Sequence, residues 1–177
     1  IRARFELTEG FLDFCDVRRF GTIEVKDSLA ELKNAPDIIA DPNFQPEDFY
    51  RVLSRRKKPI KSLLLDQDFI VGVGNIYASE ALYSARILPM TDASMIGRAR
   101  SDKLYRELKR IFLEAIECCG TTFSDFQRSD GATGNYGSKL KVYSREGQAC
   151  VNKKCKGVIE RISQAGRSTF FCPNCQS

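Results

Sequence analysis

Cys150-Val151-Asn152-Lys153-Lys154-Cys155 and, sixteen residues later, Cys172-Pro173-Asn174-Cys175 are the stretch whose reading decides the fold. Two short cysteine pairs, far apart in sequence, supply the four ligands that tetrahedral zinc requires. Each pair reads as a tight knuckle. Lys156 to Phe171 reads as two short strands around Gln164-Ala165-Gly166. A strand pair of that size does not hold itself together in water without a staple. Two structural disulfides are the alternative, and they belong to an oxidising compartment. The sequence shows no secretory signal and the second pair has a zinc-knuckle form, so one structural zinc on Cys150, Cys155, Cys172 and Cys175 is expected. An all-cysteine site has no vacant coordination position and does not activate water.

The chain has 177 residues, enough for one medium domain and a small one. It contains no histidine, which excludes His-based acid/base catalysis, Cys–His nucleophiles and His-ligated metals. No apolar run approaches the roughly 18 residues of a membrane span, so no membrane partner is expected. The net charge of +5 is unevenly distributed. Residues 1–50 carry 6 Lys/Arg against 11 Asp/Glu, whereas residues 51–177 carry 22 against 12. A basic C-terminal portion points to a polyanion, most often nucleic acid. The remaining cysteines, Cys15, Cys118 and Cys119, are expected to fill core.

Ile1 to Leu7 alternates apolar and polar residues, the pattern of a half-buried strand. A turn at Thr8-Glu9-Gly10 leads to a second strand, Phe11 to Cys15. The chain begins without Met inside this strand, and the expectation is that it starts mid-domain. From Pro46 the pattern is helical: Phe49, Val52 and Leu53 form one stripe and Ile60 to Leu65 a short helix. A further helix runs from Ile76 to about Arg86. The longest is expected to be capped by Ser101, to carry Leu104, Leu108, Ile111, Phe112 and Ala115 inward, and to stop at Gly120. Residues 129–138, rich in Gly, Ser and Asn, read as a mobile loop.

Gly72-Val73-Gly74-Asn75 opens the helix that follows it. Glycines admit a ligand close to the backbone, and a helix N-terminus offers free N–H groups. Asn75 adds an amide donor, so the turn can grip a phosphate. It lacks the third glycine of a dinucleotide fingerprint and the Gly-Lys-Ser/Thr of a phosphate-binding loop. Arg18-Arg19-Phe20 can act as a DNA probe, guanidinium on a base edge and Phe as a wedge, or can be core and solvated surface. Arg167 on a rigid hairpin suits a phosphate or is a plain surface charge.

Taken together, Asp16-Val17-Arg18-Arg19-Phe20-Gly21, Gly72-Val73-Gly74-Asn75-Ile76-Tyr77-Ala78-Ser79-Glu80, Ser129-Asp130-Gly131 and Gly166-Arg167-Ser168-Thr169 before the last cysteine pair resemble bacterial formamidopyrimidine-DNA glycosylases. These are bifunctional base-excision repair enzymes, and the resemblance covers essentially the whole chain. It implies a mainly α helix-two-turn-helix domain with a C-terminal β-hairpin zinc finger, preceded by a remnant of a catalytic β-sandwich. The implied boundaries are 1–45, 46–139 and 140–177.

The resemblance places Asn75, Gly74, Lys61 and Arg167 on DNA phosphates, with Tyr143 as a further contact. Arg18 would face the base opposite the lesion and Phe20 would wedge beside it. The loop from Asp130 to Tyr136 would close over the flipped purine. The implied partner is duplex DNA bearing oxidised purines or abasic sites, bound by a cytoplasmic, nucleoid-associated monomer. Val17 stands where the family usually has proline, and the first cysteine pair is spaced by four rather than two.

The family attacks the sugar with the amine of an N-terminal proline, aided by a glutamate and a lysine. The resemblance puts all three upstream of Ile1, so no catalytic residue is expected here and the chain alone is expected to be inactive. An α-amine, with an ordinary pKa near ~8, suits that attack better than a solvated lysine. A non-catalytic damaged-DNA-binding module, an endonuclease VIII-like glycosylase and a zinc-stabilised RNA-binding protein are the other readings.

Overall fold

Two runs of chain, Ile1–Lys33 and Asn34–Ser177, each fold as a unit in the computed structural model. Residues 1–16, 19, 21–28, 35–121 and 134–177 are described. In the first unit β1 (Ala3–Glu6) pairs antiparallel with β2 (Phe11–Phe14). Arg4 lies opposite Asp13 and holds its carboxylate through two hydrogen bonds of 2.7 and 2.8 Å. The expected hairpin is present, but Phe5, Leu7 and Leu12 on its apolar face are exposed, and Phe11, opposite Glu6, lies exposed on the other face under the Arg4 guanidinium. Alternation sets which side chains share a face, and a two-stranded hairpin by itself cannot bury that face. Beyond β2, the Asp16 carboxylate accepts the backbone N–H of Arg19 and Gly21, at 3.0 and 2.6 Å.

The described residues of the second unit build four α-helices. In α1 (Pro46–Leu53), proline takes the first position, where no N–H is needed, and Asp48 accepts the Gln45 N–H at 3.2 Å. α2 (Ile60–Leu64) is short, and its residues Ile60, Leu63 and Leu64 are buried. Two turns follow, closed by bonds from Phe69 and Ile70 back to Asp66. Gly72 sits at φ +82°, a conformation that disfavours any side chain, and its N–H is held by Gln67 at 2.9 Å. α3 (Asn75–Ala85) then starts with Gly74 as its N-cap.

The longest helix, α4 (Arg98–Glu117), packs on α1 and α3. Leu104, Leu108, Ile111 and Ala115 point into the core with Phe49, Leu53 and Leu82, and Phe112 packs against it, as the periodicity indicates. Its N-cap is Gly97, not Ser101. Ser101 lies inside the first turn, buried, and its hydroxyl has no partner among the described residues. Helix formation extends one turn further back because Arg98 pairs with both Asp102 and Glu47, which offsets its position at the positive end of the dipole.

The C-terminus of α4 closes with Cys119 in the left-handed region and bonds from Cys119 to Ile116 and Gly120 to Ala115. Cys119 is therefore a cap and exposed, Cys15 is exposed as well, and only Cys118 packs against the core. Within the segment read as a loop, residues 136–139 form a 3₁₀ turn.

β3 (Glu160–Gln164) and β4 (Arg167–Phe171) form the zinc hairpin. Ala165 and Gly166 both have positive φ, 50° and 71°, which is the two-residue turn matching the strand twist. Among the described residues no helix is long and apolar enough to cross a membrane.

Candidate nucleic-acid interface and zinc centre

The four cysteines converge as their spacing indicates. Their Sγ atoms all lie within 4.8 Å of one another, with Cys150–Cys175 at 3.8 Å and Cys155–Cys172 at 3.7 Å. A tetrahedron with Zn–S near ~2.3 Å has edges of about 3.8 Å. A disulfide needs sulfurs about 2.0 Å apart, so these distances reject the disulfide alternative. Cys150 and Cys172 are buried and the other two half-buried. Burial pushes the Cys172 thiol up to about 12. Burial also acts to raise Cys150, but hydrogen bonds from Tyr83 and the Asn152 backbone prevail and bring it down to about 7. The site is a structural zinc site; bound zinc would staple both knuckles and the hairpin between them.

α3 is the rail on which this module is mounted. At its N-terminus, the Asn75 amide donates to the Ser168 carbonyl of β4 at 3.0 Å. In its middle, Glu80, 2% exposed, accepts the N–H groups of Lys141, Val142 and Tyr143, each at 2.9 Å. At its far end the Tyr83 hydroxyl lies 3.1 Å from Cys150 Sγ. Beyond α3, buried Gln176 bridges Cys172 and Ile87, at 2.8 and 2.7 Å. The sequence alone assigned no role to Glu80, Tyr83 or Gln176. Glu80 carried one readable signal, an acid among Ala78, Ala81 and Leu82 on a buried helix face.

Lys61 is buried in this structure. It is 1% exposed and does not present its ammonium to solvent. Its Nζ donates to Asn75 Oδ1 at 2.6 Å, Thr169 Oγ1 at 2.7 Å and the Ser168 carbonyl at 3.2 Å. Three donors meet three acceptors, so a cation is tolerated there. Burial, and then the charge of Arg167, lower its pKa to about 8. Lys61 is the clasp that fixes Asn75 against the zinc hairpin.

The Arg167 side chain is exposed and has no hydrogen-bond or ion-pair partner among the described residues, its backbone pairing with Gln164 in the hairpin. Gly74 faces open space: a Cβ there would meet nothing within 4 Å. The α3 N-terminus, Asn75 and Arg167 thus share one edge. Tyr143 is half-buried and packs edge-on against Phe170 at 5.0 Å. Tyr136 is buried against α3 in this structure. Its ring is 4% exposed, packs against Tyr77 at 5.8 Å, and burial raises its hydroxyl to about 12. An aromatic ring leading into a helical core gains more by burial than by facing solvent. Arg18, Phe20 and Ser129-Asp130-Gly131 lie outside the described residues.

Residues 35–127 match the formamidopyrimidine-DNA glycosylase H2TH domain, and residues 147–177 match the zinc finger found in FPG and IleRS. The formamidopyrimidine-DNA glycosylase of Prochlorococcus marinus is 40% identical over 179 residues, covering 97% of this chain and 60% of that protein. The crystal structure of the MutM (Fpg) protein from Thermus thermophilus superposes with a TM-score of 0.86 at 38% identity, over 98% of this chain and 67% of that one. Lactococcus lactis Fpg, in its complex with abasic-site-containing DNA, gives a TM-score of 0.73 at 33% identity, over 82% of this chain and 52% of that one. This chain spans about three fifths of the length of the curated relatives it matches. A helix-two-turn-helix unit fused to a four-cysteine hairpin, matched across nearly its whole length, places the chain in the formamidopyrimidine-DNA glycosylase family.

Proposed function

We propose that this chain is the DNA-gripping portion of a base-excision glycosylase with abasic-site lyase activity that removes oxidised purines from duplex DNA. One observation carries the reading. Asn75 and Ser168, 93 residues apart, are hydrogen-bonded so that the open N-terminus of α3 and the zinc hairpin form a single edge. Backbone N–H groups at a helix start, an amide and an unpaired guanidinium are the donors that hold phosphates. Gly74, Asn75 and Arg167 supply these, Lys61 positions them, and Tyr143 flanks them.

Relatives solved with abasic-site and Fapy-dG DNA support the substrate class. Arg18 and Phe20 are proposed to probe the duplex where a base is extruded, since filling that gap offsets the cost of unstacking. The proposed division is 1–45 for a sheet remnant and linker, 46–139 for the helical domain and 140–177 for the zinc finger. No residue here is assigned to the sugar-attacking amine. The zinc has no vacant coordination position, so its contribution is mechanical.

The test is binding of the zinc-loaded chain to a duplex with a reduced abasic site, followed by borohydride trapping on an unreduced one. Tight, salt-sensitive binding without a covalent adduct is expected. Failure to bind any duplex would remove the reading. An adduct would assign the lyase amine to this chain, contrary to the division of labour proposed.

A further inference from the structure

We propose that Tyr83 is a positioning residue for the zinc centre, its phenol O–H donating to the Cys150 thiolate and thereby slowing zinc loss. Tyr83 lies on α3, not on the zinc module, and is 8% exposed. Its oxygen is 3.1 Å from Cys150 Sγ, itself 8% exposed, so the bond is largely shielded from bulk water. A zinc-bound thiolate carries only lone pairs, which makes the phenol the donor. The other donors to the four sulfurs come from the module's own knuckles: the Asn152 side chain to Cys175, the Gly157 N–H to Cys155, and backbone N–H groups of Asn152, Asn174 and Cys175. Among the described residues Tyr83 is thus the donor that reaches the metal ligands from the helical core. Four thiolates around one Zn²⁺ leave a net charge of −2, and each donor that draws electron density from sulfur stabilises that cluster. Partners outside the ligand set orient the ligands, and their loss typically costs about 10- to 100-fold in metal affinity.

The arrangement also links the metal to the opposite end of α3. Asn75 and Tyr83 bracket most of the helix, and both grip the zinc module, one at β4 and one at Cys150. Loosening of the cluster is therefore felt along the same rail that sets Asn75.

Tyr83→Phe tests this in the full chain. The ring still packs with Val142, Ile159 and Phe170, and only the hydroxyl is removed. Two readouts are needed: the rate of zinc transfer to a chromogenic chelator, and the thiolate-to-metal charge-transfer band of the cobalt(II)-substituted chain. The proposal expects transfer about tenfold faster or more and a shifted band, with the helical circular dichroism unchanged. A transfer rate within about twofold of the parent overturns it. Faster transfer with an unshifted band also overturns it, because that outcome marks a packing defect and not a lost donor to sulfur.

Discussion

Lys61 shows how one buried charge can organise a surface that it does not itself reach. Its ammonium satisfies Asn75, Ser168 and Thr169 together, drawing three elements to one point. Lys61→Met keeps the volume but leaves the Asn75 and Thr169 oxygens without a donor. Each such buried orphan costs about 1–3 kcal/mol, so chemical denaturation should show a loss of that order, accompanied by weaker DNA binding as Asn75 is released. The pH dependence has a definite sign. Burial lowers the folded-state pKa to about 8, below the ordinary lysine value of 10.5. Between those values the unfolded chain holds more protons than the folded one. This group's contribution to stability therefore rises with pH from about 8 to 10.5 and is flat below. Denaturation midpoints at pH 7, 8, 9 and 10 should show the rise in the parent and not in Lys61→Met. Meanwhile phosphate affinity should fall over the same window as the cation is lost. That Lys61 is a clasp was not legible locally: a lysine between Ile60 and Leu63 looks like a solvated head until β4, more than a hundred residues away, supplies its acceptors.

At the scale of elements, the two glycines before α3 have different tasks, and substitution separates them. Gly72 at φ +82° is required by the backbone, and Gly72→Ala should cost about 1–2 kcal/mol of stability. Gly74 at φ −93° faces open space, so Gly74→Ala should change stability by less than about 1 kcal/mol yet weaken duplex binding, because the methyl occupies the ligand's approach. Thermal melts and fluorescence anisotropy on both variants check the pair; equal binding by Gly74→Ala would exclude contact at that turn. Gly134 illustrates a third use of glycine: a Cβ there would come within 2.2 Å of the Gly120 carbonyl oxygen, so Gly134→Ala should detach residues 134–140 from the end of α4. The helices were readable because their apolar periodicity survives folding unchanged. The cap of α4 was not, because ion pairs from Arg98 to Glu47 and Asp102 let the helix start before the serine that looks like a cap. The bonds of Glu80 and Tyr83 were not legible for the same reason as those of Lys61, their partners being remote in sequence.

For the whole molecule, the consequence is that helical core and zinc finger act as one body. Ties at Asn75, Glu80, Tyr83 and Gln176 cross between them, and both lie within the one unit Asn34–Ser177. The cysteine spacing and the run from Gly72 to Glu80 disclosed both parts, while the joint between them is tertiary and appears only in the structure. Removing zinc, or Cys172→Ser, should unfold about the last 30 residues, leave most of the helical signal, and weaken duplex binding; circular dichroism and anisotropy during chelator titration follow both effects. The central claim is that Asn75 and Arg167 form a single phosphate-gripping edge. It is tested most directly by a double-mutant cycle, with Asn75→Ala, Arg167→Ala and the double variant titrated against intact and abasic duplexes across a salt series. The account predicts that each single change weakens both duplexes alike and that Arg167→Ala lowers the salt slope by about one. It also predicts that the two effects are not additive. Unchanged affinity in folded single variants, or additive losses confined to one lesion, would contradict it.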